Sequence, residues 1–278
     1  MVAADERLEV SVVSSHLRVW KAIKMNVPSF IVIMVVWEFI ARYLAQDPLL
    51  FPSLSGVAER AWELTVSGII LKHTFHTGWR ILVGILIASV LGIGIGIWMG
   101  RSRLAENFWV PILSVLLPIP ALAWSPILVL WFGLGNTTMI FITSTAAAIP
   151  ICFNTWAGVK TVNEVWIRAA RSMNADGLRL FWRVVLPGSL PYILTGLRIG
   201  LARAWRAGVA GEMVAASHWG LGYAIFDSRE ELDIAFMLTG IVVIGLLGFT
   251  IEKVLFQTLE ARTVIKWGMM EEAAGGRR

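Results

Sequence analysis

The chain has 278 residues, 57% of them hydrophobic and only 15% charged, with a mean hydropathy of +0.71. A soluble domain carries about 25% charged residues, so a water-soluble fold is excluded, and disorder, which needs low hydrophobicity and high charge, is excluded with it. The net charge of +5 does not point to nucleic acid, because too little of the chain is polar to build such a surface, and the single cysteine, Cys152, leaves no internal disulfide or cysteine-rich metal site.

In chain order, a basic arm (1–26) comes first. It alternates Val13, Leu17 and Trp20 with Arg18, Lys21 and Lys24, a pattern that fits an interfacial amphipathic helix and equally a solvated arm. Six apolar stretches then reach the roughly 20 residues that a bilayer-crossing helix needs: about 27–46, 77–99, 109–132, 137–156, 192–215 and 234–255. The first is too long for a signal peptide's apolar core and has no small-residue cleavage site after it, so it is expected as a retained span. In the second, Gly92, Gly96 and Gly100 recur every four residues and predict close helix packing in lipid; a dinucleotide fingerprint fails on spacing. The third holds Pro118, Pro120 and Pro126 around Trp124 and Ser125. Irregular backbone at membrane depth is tolerated where it is buried or lines a watery cavity, so this span is either part of a translocation path or simply kinked. Cys152, in the fourth, is expected as a small buried apolar residue.

The fifth span carries Arg203 and Arg206 roughly 17–21 Å along its axis from Tyr192, at 1.5 Å per residue. Charges at that depth are costly and mark pathways or ion pairs. Two readings stay open: the arginines lend positive potential to a path for small anions, or they pair with Glu38 or Glu212. Glu38 has a local candidate partner in Arg42, four residues on. The sixth span follows a mostly acidic segment, Asp227 to Asp233, expected as a solvated loop. His73 and His76 lack further ligands for a metal and are expected as a surface pair. No metal site is expected anywhere.

Sorting the connecting segments by charge places about fifteen Lys and Arg on one side, against Arg60, Lys72 and Arg229 on the other. By the positive-inside rule both termini, including the tail 256–278, are cytoplasmic. Five of the basic residues sit in the long connection 157–191 between the fourth and fifth spans, which a hairpin does not need. Two short amphipathic helices fit there. The first passes through Val165, Ala169, Ala170 and Met173, with Asn174 suited to a left-handed terminus. The second is capped by Asp176, carries Leu178, Phe181, Val184 and Val185, and is stopped by Pro187. Either this is a docking element whose small centre admits a partner, or it covers span ends.

Arg168-Ala169-Ala170, then Asn174, then Val184, then Leu186-Pro187 fall at the spacing of a known motif. The segment resembles the EAA loop of the membrane subunits of bacterial binding-protein-dependent ABC importers. Arg replaces the motif's Glu at 168 and Asn its Gly at 174; Asn tolerates the left-handed conformation, so the turn is expected to survive. Trp37-Glu38, Phe51-Pro52-Ser53, Pro118-Ile119-Pro120, Trp131-Phe132-Gly133, Asn154-Thr155, Gly220-Leu221-Gly222-Tyr223 and Val243 to Gly248 extend the likeness to the nitrate/sulfonate/taurine branch.

The resemblance implies an all-α membrane protein of six spans over 27–255 in the bacterial inner membrane, with a cytoplasmic helix-turn-helix coupling loop. It implies a homodimer, two ABC ATPase subunits that hold ATP and magnesium, and a periplasmic solute-binding protein. This chain itself is then expected to bind no cofactor and to catalyse nothing, and it contains no G-x-x-x-x-G-K-[ST] phosphate loop. The expected coupling residues are Arg168, Ala169, Ala170, Asn174, Asp176, Val184, Leu186 and Pro187. The expected pathway residues are Trp124, Ser125, Asn154, Arg203, Arg206 and Glu212, and the expected cargo is a small anion of the sulfonate, taurine or nitrate kind. The competing classes are an ion-gradient-driven transporter or channel without an ATPase, and a membrane enzyme, for which no acid, base and nucleophile cluster together.

Overall fold

A computed structural model describes residues 28, 31–45, 47 and 50–256. The basic arm and the residues past 256 lie outside this set, and so do the amphipathic reading of the arm and the tail's charges. Every regular element among the described residues is a helix, as apolar chain at membrane depth requires, since a helix satisfies its own backbone.

Helix α1 covers 31–44 and ends in the π-helical turn Ile40–Leu44. A short α2 (Leu54–Val66) follows, begun by Ser53, whose hydroxyl accepts from the Gly56 N–H. Next come α3 (Ile69–Arg101), α4 (Arg103–Leu116), α5 (Ser125–Phe132) and α6 (Asn136–Lys160). The hairpin helices α7 (Glu164–Ser172) and α8 (Gly177–Leu180) lead into α9 (Leu186–Ala215), and the chain closes with α10 (Leu221–Asp227) and α11 (Ile234–Thr250). Four helical runs among the described residues are long and apolar enough to cross a membrane, or up to five if α4 and α5 form one bent span. The expected first span, 27–46, is only partly described.

Helix α6 is the centre of the fold, flanked by α3 and α9. Ile81 and Ala88 of α3, Ala147 and Ile151 of α6 and Ala204 of α9 form its main buried cluster. Close approach is possible because glycines face α6 from both sides. A Cβ at Gly96 would lie 2.7 Å from the Cys152 carbonyl oxygen, and one at Gly200 would lie 2.8 Å from Ile151. Gly92 and Gly100 meet α6 in the same way, as the four-residue spacing predicts, whereas Gly94 faces open space. Cys152 is buried beside Met99.

Two expectations change. The third span is not one helix with a kink but two helices bent by 87°. Pro118 and Pro120 have no N–H to continue α4; the 3₁₀ turn Ala121–Trp124 follows, and Pro126 then occupies the first turn of α5, where no donor is needed. Pro187, for its part, does not stop the second hairpin helix. That helix passes from α8 through the π-helical turn Phe181–Val185 into α9, with Pro187 in the first turn of α9, so that 177–215 forms one continuous run.

Candidate functional site

Three places on this scaffold hold the chemistry. At one end of the bundle, α7 and α8 form the basic hairpin. Asn163 caps α7 by accepting from the Val165 N–H. Asn174 then takes φ = 61°, and the turn closes through Ala175 N–H to the Ala170 carbonyl and Asn174 N–H to the Arg171 carbonyl, a Schellman arrangement. The left-handed turn therefore forms with Asn in place of Gly. Asp176 stands at the start of α8 but makes no capping bond there; its side chain lies 3.9 Å from Arg171. Leu180 and Phe181 are buried, with the Arg101 guanidinium over the Phe181 ring, and these contacts anchor the hairpin to the bundle. No residue of α7 is buried. Arg168 and Ala169 are exposed, Ala170, Val184, Leu186 and Pro187 are half-buried, and Val165, Trp166, Met173, Leu178 and Trp182 present apolar surface outward.

At the opposite end, a buried polar knot joins α3, α6, α9 and the turn before α10. The Arg80 guanidinium donates to Glu212 Oε1 at 2.8 Å, to Asn136 Oδ1 at 2.7 Å and to the Trp219 carbonyl. The other oxygen of Glu212 accepts from Thr77 Oγ1 at 2.8 Å and from the Gly222 N–H at 3.0 Å. Thr77 in turn accepts from the Leu221 N–H, and the Gly220 N–H donates to His73 Nδ1. Gly220, at φ = 146°, leaves no room for a side chain, since a Cβ there would lie 2.4 Å from the Glu212 carboxyl carbon. Glu212 is thus buried with both oxygens bonded, as a buried charge must be. The histidines are not a surface pair: His73 is buried and packs under Trp219, and His76 stacks on the same ring. No group of three or more metal-ligating side chains occurs among the described residues.

Between these ends, the break after α4 opens a cavity of about 650 Å³. Its walls are the break itself, α5, one face of α6, and α9 at Arg203, Arg206 and Ala207. Among the described residues, those two arginines are the only charged ones on the wall. Both are exposed, and among the described residues neither has an acidic partner. Among the described residues, Arg206 donates only its Nε, to the Ala202 carbonyl. Of the two candidate acids, Glu38 pairs with Arg42 and Glu212 with Arg80.

The structure therefore brings Trp124, Arg203 and Arg206 together around one cavity and places the other three pathway candidates outside its lining. Ser125 is buried at the start of α5. Asn154 donates to the Pro150 carbonyl and packs against Gly196 of α9. Glu212 belongs to the knot.

Sequence reasoning missed Arg80 and Thr77 and misplaced His73, because they lie within or beside the second span, where a count of loop charges does not look. A signal was present: Gly196, Gly200, Ala204, Gly208 and Glu212 recur every four residues and are all buried. At about 100° per residue, Arg203 lies roughly 100° and Arg206 roughly 160° away from that stripe. One helix therefore presents its acid inward and its arginines outward.

The family model for binding-protein-dependent transport system inner membrane components matches residues 88–264. The chain is 36% identical over 239 residues to the taurine transport system permease protein TauC of Escherichia coli (strain K12), covering 84% of this chain and 86% of that one. It is 32% identical over 235 residues to the putative aliphatic sulfonates transport permease protein SsuC of the same strain, covering 84% and 88%. Among solved structures, a chain of the MetNI methionine ABC transporter in an inward-facing conformation superposes with a TM-score of 0.59 at 20% identity, covering 73% of this chain and 96% of that one. That likeness speaks to the fold.

Proposed function

The chain belongs to the family of binding-protein-dependent transport system inner membrane components and is a multi-pass, non-catalytic permease subunit of an ABC importer, and from that premise we propose that it moves a small anion of the sulfonate, taurine or nitrate kind across the bacterial inner membrane. It works as a homodimer of six-span subunits with both termini cytoplasmic. A periplasmic binding protein delivers the anion, and two ATPase subunits, which hold the ATP and magnesium, grip the hairpin of α7 and α8. Their closure pushes on the hairpin. Because 177–215 is one helical run, the push passes without a joint into α9 and so to the cavity wall.

The observation that carries the anion is the pair Arg203 and Arg206, two guanidiniums on an apolar span that form no ion pair among the described residues and have a cavity in front of them. The names of the relatives TauC and SsuC, which carry taurine and aliphatic sulfonates, support the same class. In the reconstituted complex, Arg206→Gln is expected to lower taurine or alkanesulfonate uptake by about tenfold or more, the scale of one lost charged hydrogen bond, with ATPase assembly unchanged. Unchanged uptake with normal assembly removes the anion role. The coupling assignment has its own check. A glutamate at Ala169 or Ala170 would put charge where the α7 surface is small and open, and it is expected to abolish co-purification of the ATPase.

A further inference from the structure

We propose that the cavity between the broken span and α9 is a substrate-holding site in the permease itself, built for a monoanion that carries an apolar body. Arg203 and Arg206 take the anionic head, while Trp124, Trp131 and Phe141 take the body. This rests on the reading of the two arginines as part of the anion's path and adds to it a resting place and a chemical class.

Size is the first argument. At roughly 30 Å³ per water, about 650 Å³ is room for some twenty waters, and it lies within the range of about 300–1,000 Å³ typical of sites for small organic molecules. A bare inorganic ion would occupy a small corner of it. The composition of the wall is the second. Apart from the two arginines and Thr145, the lining side chains are aliphatic or aromatic, and the Thr145 hydroxyl is already bonded to the Phe141 and Ile142 carbonyls. Pro118 and Pro120 remove two backbone donors from the same wall. A hydrated ion finds few partners there beyond the guanidiniums and the tryptophan indole N–H groups, whereas an apolar body gains contact with the aliphatic and aromatic side chains of the wall. Trp131 is 68% exposed and Phe141 44% exposed, so aromatic faces are open to such a body.

Head chemistry is the third. A guanidinium is a planar fork that matches the paired oxygens of a sulfonate or carboxylate. With Nε held by the Ala202 carbonyl, the terminal nitrogens of Arg206 have no partner among the described residues. All of these residues come from one chain, so each copy in a dimer carries its own site.

The test is equilibrium dialysis of radiolabelled benzenesulfonate against the full chain in lipid nanodiscs, with nitrate and the neutral isostere benzenesulfonamide as competitors. One saturable benzenesulfonate site per chain is expected, with each competitor weaker by about tenfold or more. Arg203→Gln with Arg206→Gln should weaken benzenesulfonate by a similar factor, and Arg203→Lys, which keeps the charge but loses the fork, by less. Phe141→Ala or Trp131→Ala should weaken benzenesulfonate and leave nitrate competition unchanged. No saturable binding, equal competition by nitrate, or indifference to the aromatic variants overturns the proposal. The two readings fail separately. If Arg206→Gln abolishes uptake in the complex while benzenesulfonate shows no preference over nitrate, the anion path stands and the organic-anion site does not. If uptake survives that substitution, the path itself falls.

Discussion

Fewer than two turns of α9 separate Arg206 from Glu212, yet the two charges live under different rules. Glu212 is 1% exposed and bonded through both oxygens to Arg80, Thr77 and the Gly222 N–H. Arg203 and Arg206 are exposed on a cavity wall, and among the described residues neither forms an ion pair. A charge held at membrane depth by protein partners is architecture, because removing the partner strands it. One left open to a cavity is available to something that is not protein.

The largest expected effect breaks the paired side of this contrast. Glu212→Ala leaves the Arg80 guanidinium buried and uncompensated, and truncating one partner of a buried pair costs about 3–5 kcal/mol. Loss of monodisperse protein in detergent, or a steep fall in melting temperature, is the expected result. Replacing Arg80 and Glu212 together with Met and Leu should recover part of that stability, since exchanging a whole buried pair for apolar side chains is often neutral. A double variant no better than Glu212→Ala would mean that the knot is held by its hydrogen bonds to the turn, not by the ion pair.

Next in size is a comparison of neighbouring positions on α9. Gly200→Leu drives a side chain into Ile151, 2.8 Å from where its Cβ would sit, and overpacking of this kind costs about 1–3 kcal/mol. Arg203→Gln, three residues on and off the stripe, should leave the melting temperature unchanged while lowering uptake. If Arg203→Gln melts like Gly200→Leu, the outward face of α9 is packed rather than open and the contrast collapses.

How much of this was legible beforehand depends on distance along the chain. The stripe from Gly196 to Glu212 is local, and its four-residue spacing already says that Glu212 points inward and the arginines do not. The hairpin was partly local: the left-handed turn at Asn174 and the helix before it formed where their residues predicted, whereas the second helix ran past the stop expected at Pro187. Partner identity was not local. Arg80 and Glu212 are 132 residues apart, and a single sequence with acids at 38 and 212 offers nothing to pair them with an arginine in another span. Prolines gave a mixed signal for a related reason. Three in one span predicted irregular backbone but not its geometry, a bend of 87° with α5 packed against α6. Pro187 predicted a stop, and the π-helical turn before it absorbed the missing donor within a continuing helix.

The smallest expected effect tests whether burial or contact geometry decides what an ion pair is worth. Arg60, beside α11 and 40% exposed, reaches Asp233 at 2.7 Å and Glu63 at 2.9 Å. Those contacts are as short as the 2.8 Å between Arg80 and Glu212. Arg60 donates hydrogen bonds to Glu63 and to Asp233, and these hold its guanidinium above its already high ordinary pKa, so Arg60 stays charged at any working pH. It is nevertheless open to water, and exposed pairs are worth about 0–1 kcal/mol and fade with salt. Arg60→Ala should therefore shift the melting temperature slightly at low ionic strength and not measurably at high. Asp233→Ala should cost more, because Asp233 also caps α11 through the Phe236 N–H, and a lost cap costs about 1 kcal/mol. Should Arg60→Ala destabilise the chain as Glu212→Ala does, distance rather than burial governs, and a charge without a partner on α9 would no longer be a sign of function.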